Sequence, residues 1–292
     1  MRRFDAAIFI TVFTVGLSGC DPKPRNELGL RDRSIGLVIA GGRDDLRYWR
    51  MDGSGVAMKS LEGRCTTNAM WSGWEVICNG TAGKTLLFSP SGKLVVTTDL
   101  SCMGGSVAIS KDRDAIACWD PGGSALTVKE SGLGTSSSVF DADKYGIPAQ
   151  SRLNGSFPSP LSWTPDSSSL YFSSSGRMFV YSRTTRAVTE LAVQGDWPSV
   201  SPDGTRIVYR DRHTEILAVG DLKRDASPEL LDLGPLWYPP SWSSDGTFIL
   251  ANEKGAMKLV ILRLSDRKRQ TVRIWDEDLK AQFYALEKIP AE

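Results

Sequence analysis

Two stretches of this chain are near copies. "PSVSPDGTRIVYRD" at residues 198–211 is echoed by "PSWSSDGTFILANE" at residues 240–253. Each carries Ser-x-Asp-Gly and then a run of apolar residues in alternation. Asp and Gly together mark a tight turn, because the carboxylate bonds nearby backbone N–H groups and glycine tolerates positive φ. The alternation that follows has the period of a half-buried strand. A chain that repeats turn and strand is building one small unit several times over, and that restricts its fold more than its composition does.

Further copies appear when the chain is aligned on the turn. "SWTPDSSSLYFS" has Asp166 with Ser167 in the glycine place, and "VAISKDRDAIAC" has Asp112 with Arg113 there. "AMWSGWEVIC" is a shortened copy around Ser72, and "LRDRSIGLVIA" a weak one around Asp32. The anchors at 32, 72, 112, 166, 203 and 245 are spaced by 40, 40, 54, 37 and 42 residues. A period near 40 with several short strands per unit predicts an all-β chain, a six-bladed β-propeller of four-stranded antiparallel blades. In the fifth unit the strands read "WPSVS", "RIVYR", "EILAVGD" and "PELLDL"; in the sixth, "PSW", "FILAN", "KLVILRL" and "RQTVRI". The first blade lacks sequence for its innermost strand. The tail "FYALEKI", 283–289, reads as a closing strand that removes an exposed edge, or as a short helix, since its apolar residues also fit helical spacing.

These units resemble the TolB-type, or PD40-repeat, propeller family. The resemblance rests on Ser201-Pro202-Asp203-Gly204, on Ser243-Ser244-Asp245-Gly246 and on "RYWRMDGSG" at 47–55, and it covers roughly residues 26–275. It extends to the propeller only, since no stretch reads as the separate N-terminal domain that TolB carries. It implies an interaction platform, as propellers of that type chiefly are, and says little about which residues act.

The first residues form a targeting signal. Arg2 and Arg3 precede an apolar run from Ala6 to Leu17, too short for an ordinary membrane span. Leu17-Ser18-Gly19-Cys20 resembles a bacterial lipobox, which implies cleavage before Cys20 and lipidation of its thiol. The expected organisation is a lipoprotein signal peptide over 1–19, a polar tether over 20–27 and the propeller over 28–292. Attachment is then to a membrane through the lipid on Cys20, facing the periplasm or the outside. Asp21 resembles an inner-membrane retention signal.

Removing Cys20 leaves Cys65, Cys78, Cys102 and Cys118, an even number that argues for disulfides in an exported chain. Cys78 and Cys118 end the second strand of their blades, while Cys65 and Cys102 precede the first. Neighbouring strands favour Cys65–Cys78 and Cys102–Cys118 over the rival Cys78–Cys102.

Catalytic signals are sparse. With 35 basic and 34 acidic residues the chain has no charge excess that would suit nucleic acid. The single histidine, His213, reads as a solvated loop residue; no His cluster for a metal, no nucleophile elbow and no phosphate loop is legible. The expectation is no catalysis, no cofactor and no metal. Binding candidates come from the loops around one end of the ring: Phe157, Trp197, Trp237 and Tyr238 in connections between blades, with Arg210, Arg212 and His213 after a second strand. Aromatic and Arg side chains are the usual anchors of protein interfaces, though the rings would equally plug gaps between blades. The longest irregular stretch, residues 129–157, offers Phe140 and Tyr145 to a partner. The leading reading is a protein- or peptide-binding scaffold in the cell envelope. The alternative is a carboxylate-dependent enzyme or glycan-binding protein using the channel, to be recognised by inward-facing Asp, Glu and Arg.

Overall fold

The computed structural model describes residues 28, 30, 33–39, 45–50, 55–60, 70–72, 75–79, 85–88, 94–98, 106–120, 122–131, 136–148, 160–223, 227–236, 238–253, 258–273 and 281–288. All regular elements among these are strands. One sheet joins β1 (Arg33–Ile39), β2 (Asp45–Arg50) and β3 (Gly55–Ser60) to β23 (Ala281–Lys288), in the order β23-β1-β2-β3. The next two are β4 (Met70–Ser72), β5 (Glu75–Asn79), β6 (Thr85–Phe88), β7 (Leu94–Thr98), and β8 (Val107–Ile109), β9 (Ala115–Trp119), β10 (Ala125–Glu130), β11 (Ser136–Asp141). A seven-stranded sheet follows: β12 (Ser162–Trp163), β13 (Ser169–Ser174), β14 (Arg177–Ser182), β15 (Ala187–Val200), β16 (Arg206–Asp211), β17 (Leu217–Asp221) and β18 (Glu229–Leu230). The last sheet is β19 (Ser241–Trp242), β20 (Phe248–Asn252), β21 (Lys258–Arg263) and β22 (Arg269–Arg273).

Every pairing among the described strands is antiparallel, and all but one join chain neighbours: β1 pairs with β23, with Arg33 opposite Lys288. The tail is therefore a closing strand and not a helix. The long β15 explains the seven-stranded sheet. Its first half pairs with β14 as an outer strand, and its second half pairs with β16 as an inner strand. Burial changes along it accordingly, from a mix of exposed and intermediate residues to an end that mixes buried and intermediate ones. Counted with β15 in both halves, the described strands make six four-stranded units. Their first strands touch in a closed cycle: β23 to β4, β4 to β8, β8 to β12, β12 to β15, β15 to β19, and β19 back to β23.

Two recurring bonds tie that inner cycle together. Trp163 Nε1 donates to the Ala108 carbonyl at 3.2 Å, and Trp242 Nε1 donates to the Ser199 carbonyl at 2.9 Å. Both carbonyls belong to the preceding unit. In the fifth unit the equivalent place is Val200, and its backbone N–H donates instead to Ser162 Oγ at 2.9 Å. The flanks between units carry the core. Trp119, Phe140, Phe172, Phe179 and Tyr145 form one aromatic group between the third and fourth units, with ring centroids 4.8–5.7 Å apart. Strand β20 is buried on both sides along its whole length, as a sheet packed between two neighbours requires.

The repeated Ser-x-Asp turn has one geometry in four units. In the fifth, Ser201 Oγ donates to Asp203 Oδ1 at 2.6 Å and accepts from the Arg206 N–H at 2.9 Å. The same Asp203 oxygen accepts the Thr205 N–H at 3.0 Å. Ser243 with Asp245, Thr164 with Asp166 and Ser110 with Asp112 repeat the pattern. Gly204 and Gly246 take φ of 69° and 70°, and Ser167 and Arg113 take 61° and 64° in the same place. Pro165 lies against Gly204 in the neighbouring turn, where a Cβ would meet its Cδ at 3.2 Å. The Pro and Gly of the motif thus pack turn against turn from the fourth unit to the sixth.

Each unit is a meander, so its ends are distinct. Turns between first and second strands, and between third and fourth, lie at one end, here the turn face. Turns between second and third strands, and connections between units, lie at the other, the connection face.

Candidate binding face

The binding candidates all belong to the connection face by chain order, but the structure places them differently from one another. Phe157 and Trp237 lie outside the described residues, as do Cys20, Cys65 and Cys102. Trp197 is not in a loop. It sits inside β15 with φ of 62°, at a register shift between Asp196 and Ser199. The local sequence "GDWPS" reads as a turn, yet the chain passes from the fourth unit to the fifth without leaving the sheet. Gly195 permits the crossing, because a Cβ there would meet Tyr209 Cδ2 at 2.4 Å and the Arg210 carbonyl at 2.6 Å. A bulky residue at positive φ is uncommon and is held only by its surroundings. Here Trp197 N–H donates to Ser173 Oγ at 3.2 Å, and the side chain packs against the cluster containing Val208, Leu217 and Leu236.

Arg210 lies over the Trp197 ring, 5.1 Å from its centroid. It pairs with Glu215 and stands 3.7 Å from Asp196 Oδ2. Asp196 Oδ1 accepts the Gly176 N–H at 3.1 Å. Burial pushes the Asp196 carboxyl above the ordinary carboxylate range, and Arg210, the Gly176 N–H and Arg212 oppose that shift. Arg212 is exposed, runs over Gly176 and donates to the Ser175 carbonyl at 2.6 Å. His213 is exposed on the turn that Asp211 caps. Asp211 Oδ1 accepts the N–H of His213 at 3.0 Å and of Thr214 at 2.8 Å. Arg210, Arg212, His213, Trp197 and Asp196 thus form one neighbourhood between the fourth and fifth units.

Tyr238 belongs to a different neighbourhood. It is half-buried against Phe248, Leu250, Leu259 and Ile261 of the sixth unit. Phe140, read as a partner contact, is instead buried in β11 and stacked on Tyr145 at 4.8 Å. The stretch expected to be irregular supplies that outer strand: it begins with three exposed serines and turns inward only at its end. Tyr145 stays half-buried, its carbonyl taken by Arg177 at 2.7 Å.

Two residues escaped sequence reading. Asp196 reads as a turn residue, and its place beside Arg210 and the Gly176 N–H is seen only in the structure. Tyr209 reads as an ordinary strand position, yet its hydroxyl is buried with no hydrogen-bond partner among the described residues. Burial pushes that hydroxyl's pKa up to about 12. Cys78 and Cys118 lie on β5 and β9. Cys65 and Cys102 lie outside the described residues, and the expected pairing falls there with them. No group of three or more His, Cys, Asp and Glu side chains arranged to hold a metal occurs among the described residues.

Closed cycle, four-stranded meanders and repeated turns define a β-propeller. Solved propellers bear this out, and TolB stands among them. The chain is similar to TolB from Acinetobacter baumannii at 15% identity and a TM-score of 0.58, over 88% of this chain and 66% of that one. It therefore spans just under two thirds of that protein's length. It is similar to a putative TolB from Agrobacterium tumefaciens at 16% identity and a TM-score of 0.50, over 89% and 99% of the two chains. A chain of a nidogen/laminin complex aligns at 10% identity with a TM-score of 0.56, over 87% and 97%. At these identities the likeness concerns the fold. No protein-family model matches the sequence, and no curated protein matches it.

Proposed function

We propose that this chain is a lipid-anchored bacterial envelope protein whose six-bladed propeller binds another envelope protein or a peptide through the connection face. The observation that carries the reading is the neighbourhood of Arg210, Arg212, His213 and Trp197. Arg212 and His213 stand exposed there beside the sheet crossing, with Arg210 over the Trp197 ring, and Arg with aromatic side chains is the usual composition of an interface centre. The TolB-like fold supports the same reading, as does a propeller neighbour from a complex between two proteins. The lipobox supports anchoring at Cys20, and the paired positions of Cys78 and Cys118 support bonds to Cys65 and Cys102 in an oxidising compartment.

Catalysis is no part of this reading. The turn carboxylates Asp112, Asp166, Asp203 and Asp245 are taken up by their own turns. Asp196 is held by Gly176 and Arg210.

Affinity capture from chemically crosslinked envelopes tests the binding reading. The wild-type chain should recover one defined protein, and the Arg212→Ala/His213→Ala double variant should recover at least about tenfold less, the loss of roughly one interface anchor. Equal recovery by both would remove the connection face from the account. Cys20→Ser should abolish incorporation of labelled palmitate and release the chain from membranes. A label that persists would place the lipid elsewhere.

A further inference from the structure

The seam between the sixth unit and the first is where chain end meets chain start. Its inner layer is β23, which touches β19 and β20 on one side and pairs with β1 on the other. Its second component is two leucines from the start of the chain. Leu28 is 3% exposed and Leu30 fully buried, and both lie in the cluster of Phe248, Leu250, Leu259 and Ile261. Those four belong to β20 and β21, the middle strands of the sixth unit. Three residues beyond Leu30 the chain enters β1 of the first unit. The segment therefore covers the flank of one unit and continues into the next. Tyr238 packs on the same cluster.

We propose that Leu28 and Leu30 are a latch on the ring-closing seam, and that through Tyr238 this latch positions the 231–240 connector on the binding face. The first part rests on packing alone. The second deepens the reading of the connection face as a docking surface, and the connector is the part of that face the latch reaches. Propeller units are wedge-shaped in section, and a gap that widens outward needs filling where only the inner strand closes the ring. Two buried leucines supply apolar volume there, and their loss leaves a cavity that loosens its neighbours first.

Hydrogen exchange on the full-length chain in detergent tests this without any partner. In Leu30→Ala, amides of 281–288, 258–262 and 231–240 should exchange faster than in the wild type by roughly tenfold or more, while 115–119 and 169–174 stay near wild type. Leu170→Ala, an equally buried leucine in the fourth unit, is the control; it should loosen 169–182 and leave the seam protected. Leu28→Ala gives the same seam pattern in milder form should Leu30→Ala fold poorly. Acceleration spread evenly over all units, or none at the seam, would overturn the latch. Acceleration at 281–288 and 258–262 without 231–240 would overturn its reach to the binding face.

Discussion

At the scale of single residues, the Ser-x-Asp turn explains both what the motif requires and where copies depart from it. Glycine is favoured in the fourth place because φ is positive there, a conformation that costs an L-residue about 1 kcal/mol or more. Arg113→Gly should therefore raise stability by up to about 1 kcal/mol in urea unfolding. Ser167→Gly should gain less, because the Asp112 N–H loses Ser167 Oγ at 3.0 Å. Gly204→Ala should lose about 1–2 kcal/mol through strain and its approach to Pro165. The turn carboxylates also set an acid response. Hydrogen bonds hold Asp203 down to about 2, with the Ser201 hydroxyl the largest cause. Asp112 also lies at about 2; desolvation is the largest single influence there and acts upward, but Ser110, Asp114 and Arg183 together outweigh it. A carboxylate lowered in the folded state adds stability above its unfolded pKa near 4 and loses it as pH falls toward 2. The slope of stability between pH 4 and 2 should flatten in Asp203→Asn, as denaturation midpoints across that range would show. The turn was legible because its residues are local and repeat. Asp196 was not, because its partners Arg210 and Gly176 lie 14 and 20 positions away.

Among elements, β16, β17, β20 and β21 of the fifth and sixth units fall where the repeat sets them. The exception is β15. Gly-Asp-Trp-Pro carries every mark of a turn, and nothing local reveals that Tyr209 lies over Gly195 or that Trp197 bonds across to Ser173. Continuity there is a tertiary effect. Gly195→Ala should accordingly cost about 1–3 kcal/mol by forcing Tyr209 aside. The inner-strand tryptophans make a second prediction. Trp242→Phe removes the donor to Ser199 at 2.9 Å and weakens the Arg206 contact at 5.3 Å, and should cost about 1–3 kcal/mol in thermal or urea unfolding. A change within 0.3 kcal/mol, roughly the error of such measurements, would deny that inner strands hold neighbouring units together.

For the whole molecule, repeat spacing and the strand deficit in the first unit left a place for a closing strand, with the tail as a candidate for it, and β23 beside β1 is that closure. The pairing joins residues some 250 positions apart, so the sequence could supply the vacancy and a candidate but not choose strand over helix. The function is less legible for a physical reason. A propeller's repeat residues are consumed by turns and inter-unit packing, and the surface that meets a partner carries no periodic signature. On the proposed function, the connection face is the side that binds and the turn face is not. Photocrosslinking in living cells tests it directly, with a photoreactive amino acid in place of Arg212 or His213 on one face and of Lys111 or Asp203 on the other. The account predicts that Arg212 and His213 positions yield one shared protein adduct, and that the Lys111 and Asp203 positions yield none. The same adduct from the turn face alone would contradict it.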